Sequence, residues 1–160
     1  MSEPSHSNTL VGWREWAQIP DIGVPWIKAK LDTGAQTSSI HAYDAEVFDH
    51  GGGEAWVRFR VRPWQKSVED EVVVECPVHD QRKVRSSSGH VEERIVVQMP
   101  LVLGDRDVTA EVTLTNRDQM GFRMLIGREA LQHGFVVDSS RSFVGGKAHR
   151  ATRRRNRGRE

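Results

Sequence analysis

The 160-residue chain carries 23 Lys and Arg against 22 Asp and Glu, a net charge of +1, with 37% hydrophobic residues. This suits one domain with a modest core and a wet surface. Its one cysteine, Cys76, excludes an intramolecular disulfide; with no apolar run near the ~18 residues of a membrane span and no apolar stretch in Met1–Thr9, a cytoplasmic protein is expected.

Charge is unevenly spread. Seven of the cations (Lys147, Arg150, Arg153, Arg154, Arg155, Arg157 and Arg159) crowd the last 14 residues, leaving residues 1–146 net acidic. An acidic globular part argues against a nucleic-acid-binding core. Residues 1–9 are expected to form a flexible leader, 10–146 the folded domain, and 147–160 a disordered Arg-rich tail. Such a tail can contact RNA or a ribosome through counterion release, or serve only as a solubilising end.

In chain order, Leu10–Ile19 predicts one strand ending at Pro20, and Asp21–Pro25 a turn. Ile27, Ala29 and Leu31 alternate with Lys28 and Lys30, the period of a half-buried strand. Ser38–His41 begins a return strand, and Asp44–His50 predicts a short helical turn before the Gly51–Gly53 breaker. Glu54–Arg62 alternates cleanly, with Val57, Phe59 and Val61 on one face and Arg58, Arg60 and Arg62 on the other. Glu69–Cys76 predicts a further strand. Pro77–Gly89 is polar and reads as an exposed loop or hairpin tip. Glu92–Met99 and Asp107–Thr115 predict strands around a Gly104-Asp105 turn. Met124–Gly127 is a short apolar strand, Arg128–His133 a brief helix stopped by Gly134, and Phe135–Val137 a last strand. Many short strands with one short helix indicate an all-β barrel or sandwich.

The chemistry-bearing stretch is Leu31-Asp32-Thr33-Gly34-Ala35. A strand delivers one carboxylate into a sharp turn, where Gly34 permits close backbone approach and Thr33 places a hydroxyl beside it. The same residues can also form an Asx-turn without chemistry. Met124-Leu125-Ile126-Gly127-Arg128, two bulky apolar residues and then Gly, supplies a second element.

Together Asp32-Thr33-Gly34-Ala35 and Leu125-Ile126-Gly127-Arg128 resemble the retropepsin-type aspartic peptidases. Gly12-Trp13-Arg14-Glu15-Trp16, Val84-Arg85-Ser86-Ser87-Ser88-Gly89 and Thr113–Met120 make the chain similar to a bacterial retropepsin-like family labelled ATP-dependent zinc protease. Some relatives there are encoded beside a ligase that adds glutamates to a ribosomal protein. The resemblance implies a small closed β-barrel with Asp32, Thr33 and Gly34 as catalytic residues. Ala35, Leu125, Ile126 and Gly127 would support the turn, and Arg128 would fix the adjoining strand. Carboxylate proteolysis needs two carboxylates sharing one proton, and this chain has one such turn. A homodimer bringing Asp32 from each subunit to the axis is therefore expected. In retroviral relatives the residue after the Ala is commonly acidic and pairs with the Arg. Here it is Gln36, which leaves Arg128 without that partner unless Asp118 or Glu129 serves.

Cys76–Glu93 falls where a retropepsin carries its flap. Arg82, Lys83 and Arg85 would make that flap basic, suited to acidic, glutamate-rich peptides, or would sit on a solvated hairpin. The residues call for no cofactor. Cys76, His79 and His90 are weak candidates for zinc, since a lone strand-end cysteine is more often packing. Neither Gly51–Gly53 nor Gly145-Gly146-Lys147 is a phosphate-binding Walker loop, so ATP would enter through a partner. His41 reads as a polar strand-end residue or a site residue. Of five tryptophans, Trp13, Trp16 and Trp26 read as core or interface, and Trp56 and Trp64 as packing or groove walls. An aspartic peptidase acting on peptide or protein substrates is the first expectation. A non-catalytic binding or adaptor module on the same barrel is the second, and a zinc protease the third.

Overall fold

A computed structural model describes residues 8–64, 70–85, 89, 91–115 and 121–146. Eleven strands and one short helix lie among them: β1 (Thr9–Gly12), β2 (Arg14–Ile19), β3 (Val24–Leu31), β4 (Ser38–Asp49), β5 (Ala55–Val61), β6 (Val72–Pro77), β7 (Asp80–Arg85), β8 (Val91–Leu103), β9 (Arg106–Thr115), β10 (Met124–Ile126), α1 (Arg128–Leu131) and β11 (Phe135–Asp138). The expected all-β class with one short helix holds. Residues 1–7, 65–69, 86–88, 90, 116–120 and 147–160 lie outside the description. With them go most of the leader, the Arg-rich tail, His90 and Asp118.

The main sheet closes on itself. Its path runs β10-β3-β2-β8-β9-β4, and β10 pairs with β4 as well as β3, completing a ring. Three residues suffice for the closure, because β10 lies parallel to β3 and antiparallel to β4. The interior is filled by alternate residues. Ile27, Ala29 and Leu31 of β3 meet Met99, Leu101 and Leu103 of β8 and Ala110 and Val112 of β9, all buried. Each large side chain withdrawn from water contributes roughly 1.5–3 kcal/mol before chain entropy is counted.

Two strands outgrow the ring. Ser38–His41 of β4 pair with β9, while Ala42–Asp49 leave it to pair with β5. β6 then extends this second layer along β5. Buried Val57, Phe59 and Val61 face inward, as the alternation predicts, and the opposite face carries Arg58, Arg60 and Arg62. Those arginines are matched by acids on both neighbouring strands and on Glu71: Arg58 by Glu46 and Glu75, Arg60 by Asp44 and Glu71, Arg62 by Glu71. The hydrogen bond from Arg62 holds the Glu71 carboxyl below its ordinary range.

Three local expectations are corrected. The expected helical turn at Asp44–His50 is strand as far as Asp49, since Gly51–Gly53 forms the tip of a β4–β5 hairpin closed by His50 N–H to Glu54 O at 2.9 Å. Part of Pro77–Gly89 is not loop: Asp80–Arg85 pair antiparallel with Val91–Val96. Leu10–Ile19 is two strands. β1 leaves the ring to pair in parallel with β11, and the break at Trp13 is fixed by its N–H donating to Arg141 O and its carbonyl accepting from Leu31 N.

Residues 141–146 form a strap over that break. Phe143 N–H donates to Arg14 O at 2.9 Å, and its ring stacks on Trp16. The Glu15 carboxylate, 1% exposed, accepts three backbone N–H groups: Gly12 at 2.6 Å, Val144 at 2.8 Å and Gly145 at 3.0 Å. No helix among the described residues is long and apolar enough to cross a membrane. Replacing Glu15 by Ala strands three donors, and hydrogen bonds to a charged group contribute about 1.5–3 kcal/mol each. Glu15→Ala should cost about 3 kcal/mol or more in urea unfolding; a loss under ~0.5 kcal/mol would show that the strap carries no stability.

Candidate functional site

The Asp32 turn is built by β3, β10 and the segment between β3 and β4. Leu31 is buried, and its N–H is taken by Trp13 O at 2.8 Å; the next N–H, of Asp32, goes to Ile126 O at 2.9 Å. The chain then folds back, with Ala35 N–H reaching Asp32 O at 3.2 Å and Gly34 N–H reaching Asp32 Oδ1 at 2.9 Å. That is an Asx-turn, and it leaves the carboxylate half-buried at the end of a rigid strand while Thr33 and Gly34 face solvent.

Leu125 and Ile126 are buried beside this turn, in register with Lys30 and Leu31. Gly127 has a sharper reason to be glycine. A Cβ there would lie 2.6 Å from Thr37 O and 2.9 Å from Ala35 O, closer than real Cβ contacts occur. The close approach lets Gly127 N–H reach Ser38 Oγ at 3.1 Å, Arg128 N–H reach Ala35 O at 2.8 Å and Glu129 N–H reach Gln36 O at 2.9 Å. Residues 35–38 are thereby clasped by residues 127–129.

The Arg128 side chain completes the clasp by donating to Thr33 O at 3.0 Å and to Gln36 Oε1 at 2.7 Å. The expectation that Gln36 deprives Arg128 of a partner is therefore corrected. The amide oxygen accepts as a carboxylate would, and only the charge is lost. Glu129 is turned elsewhere: its Oε1 accepts from Glu111 N–H at 2.9 Å and its Oε2 lies 4.0 Å from His133.

The basic hairpin is brought together only in part. Arg82 is bound to Glu111 at 2.7 Å and to Asp80 at 2.8 Å, so its charge is already answered. Lys83 is exposed opposite Glu93 in the pairing, and Arg85 ends β7 opposite Val91. Cys76 is half-buried, and burial pushes its thiol above the ordinary range. His79 lies 3.9 Å from the Glu111 oxygen that also holds Arg82. Among the described residues no three His, Cys, Asp or Glu side chains gather to hold a metal; His90, one of the zinc candidates, lies outside them. Gly145 is bound into the strap by Glu15, and Gly51–Gly53 turn a hairpin. Trp64 is packing, its Nε1 donating to Asp70 at 2.8 Å, and Trp56 stacks on His50. His41 is buried edge-on against Tyr43. An open groove of about 770 Å³ is lined by Thr9, Leu10, Asp105, Arg106 and Val144 among others, and shares no residue with the Asp32 turn.

Residues 10–148 match a family described as RimB-like, retropepsin-like aspartic endopeptidase RimB. The chain belongs to the RimB-like family. It is similar in structure to Lpg0085, a Legionella pneumophila protein of unknown function, with a TM-score of 0.73 at 29% identity over 87% of this chain and 99% of that one. Curated relatives carry another name. A probable alpha-L-glutamate ligase of Shewanella halifaxensis is 44% identical over 143 residues, 89% of this chain and 31% of the relative. One of Desulfotalea psychrophila is 45% identical over 131 residues, 81% of this chain and 28% of the relative. This RimB-like chain thus spans less than a third of the curated relatives it matches.

Both descriptions are of enzymes, but of different classes. The retropepsin-like family assignment holds. The expectation of an aspartic peptidase working through an Asp32 dyad across a homodimer is corrected by relatives 44–45% identical that are named for ligation, not hydrolysis. The zinc-protease label is corrected by the same names.

Two measurements check this site. Gly127→Ala should destabilise the chain by about 2 kcal/mol through overpacking, read as a lower urea midpoint; an unchanged midpoint would mean that the crossing at residues 35–37 yields freely. Cys76, with its thiol pushed up, should react with a disulfide reagent at pH 8 at least about tenfold more slowly in the folded chain than in urea. Equal rates would contradict its burial.

Proposed function

We propose that this domain serves α-L-glutamate ligation by holding the glutamate-bearing polypeptide, as acceptor or as product, while the rest of the ligation machinery lies outside it. The supporting observation is the pattern of matches. Between 81% and 89% of this chain aligns at 44–45% identity with only 28–31% of proteins named probable alpha-L-glutamate ligase. It corresponds to one part of those proteins, and the remaining seven tenths has no counterpart in this alignment.

Each glutamate joined to a polypeptide adds a negative charge. A module that handles such a chain must set fixed cations against a polyanion while leaving the backbone accessible. The ring supplies a rigid frame, and the clasped Asp32 turn supplies an acceptor, a backbone turn and a guanidinium from five consecutive residues and the start of α1. This is a binding role on the barrel, carried out in service of an enzyme.

The test uses the full chain and a fluorescently labelled hexaglutamate, with hexaglutamine as control, followed by anisotropy at low and high salt. Hexaglutamate should bind at least about tenfold more tightly, with the preference shrinking as salt rises. Equal affinity for the two peptides at low salt would reject the proposal.

A further inference from the structure

We propose that Arg128 is the residue that grips a carboxylate side chain of the bound polypeptide, and that Gln36 leaves it free to do so. This rests on the binding role proposed above and names the group that carries it.

Arg128 is held at both ends. Its backbone N–H is bonded to Ala35 O at 2.8 Å, and its guanidinium donates to Thr33 O at 3.0 Å and Gln36 Oε1 at 2.7 Å. The side chain is nevertheless exposed. A guanidinium carries five N–H donors, so at least two remain for a ligand. Because the fork is fixed beforehand, little side-chain freedom remains to be lost on binding.

Both of those partners are neutral. Arg58, Arg60, Arg62 and Arg82 each lie within ion-pair distance of at least one carboxylate. Among the described residues no carboxylate lies within 4.0 Å of the Arg128 guanidinium. Glu129, the adjacent acid, is engaged by Glu111 N–H and faces His133. An acid at position 36 would make the same hydrogen bond and cancel the charge. The amide keeps the geometry and leaves a full positive charge at the surface, bonded to the carbonyl of Thr33, the residue that follows Asp32. A cation positioned by neutral acceptors is suited to a bidentate carboxylate, the group that repeats along a glutamate chain.

Gln36→Glu isolates the charge, since it preserves the acceptor and adds an ion pair inside the clasp. Hexaglutamate affinity should fall about tenfold, hexaglutamine affinity should not move, and thermal stability should be unchanged or higher. Arg128→Lys should also weaken hexaglutamate, because an ammonium cannot serve both acceptors and a bidentate ligand. Should the Arg128 variant fold poorly, Gln36→Glu alone decides. Free L-glutamate at equal molarity should not displace the peptide, and displacement would mean that the site takes the monomer. Undiminished hexaglutamate binding by a folded Gln36→Glu chain would overturn the role of Arg128 while leaving the domain's preference for acidic peptides standing. Failure of the native chain to prefer hexaglutamate would sink both.

Discussion

The arrangement at the Asp32 turn depends on one steric condition, a backbone crossing at Gly127 too tight for any side chain. With the nearest carbonyl oxygens 2.6 and 2.9 Å from a would-be Cβ, residues 35–38 can lie flat against the start of α1. The ladder of N–H donors from Gly127, Arg128 and Glu129 then forms. The same crossing allows three-residue β10 to bond β3 on one side and β4 on the other, which closes the ring. Site and ring closure are therefore one feature. A perturbation that widens the crossing opens the sheet and loosens the turn together, because densely packed interiors transmit such shifts instead of absorbing them.

A second constraint acts from the far end of the chain. The buried Glu15 carboxylate gathers N–H groups from Gly12, Val144 and Gly145, and so holds β1, β2 and the strap in one unit. Trp13, at the break between β1 and β2, passes its carbonyl to Leu31 N–H, one residue before Asp32. The strap and the Asp32 turn are thus linked through two consecutive backbone bonds. A buried carboxylate that satisfies donors instead of pairing with a cation is a costly device unless every lone pair is used, and here most are.

Much of the fold was legible because period-two alternation survives in the strands that line the ring: Val57, Phe59 and Val61 are all buried, as are Ile27, Ala29 and Leu31. The failures share a cause. Asp44–Asp49 has no alternation because most of its residues are exposed, so its pairing with β5 is set by the hairpin tip and not by burial. Asp80–Arg85 is polar for the same reason. The clasp is half legible: the Asp-Thr-Gly turn and the Leu-Ile-Gly strand stand out in the sequence, while Gln36 lacks the charge of an acidic partner and yet keeps its hydrogen-bonding capacity. The Glu15 strap joins residues about 130 positions apart, and no local pattern signals it. The function was legible least of all. A fold fixes where an acid sits, and it does not fix which reaction the surrounding protein performs.

The parallel ribbon of β1 and β11 carries a consequence for biosynthesis. The first strand finds its partner only when residues 135–138 are available, and Glu15 finds two of its three donors only at residues 144–145. A nascent chain emerging from the exit tunnel therefore cannot complete this domain until its C-terminal strap has cleared the ribosome; with 130 positions between Glu15 and Gly145, synthesis at about 5–20 residues per second makes that a wait of about 6–26 seconds. Until then the opening segment remains unzipped.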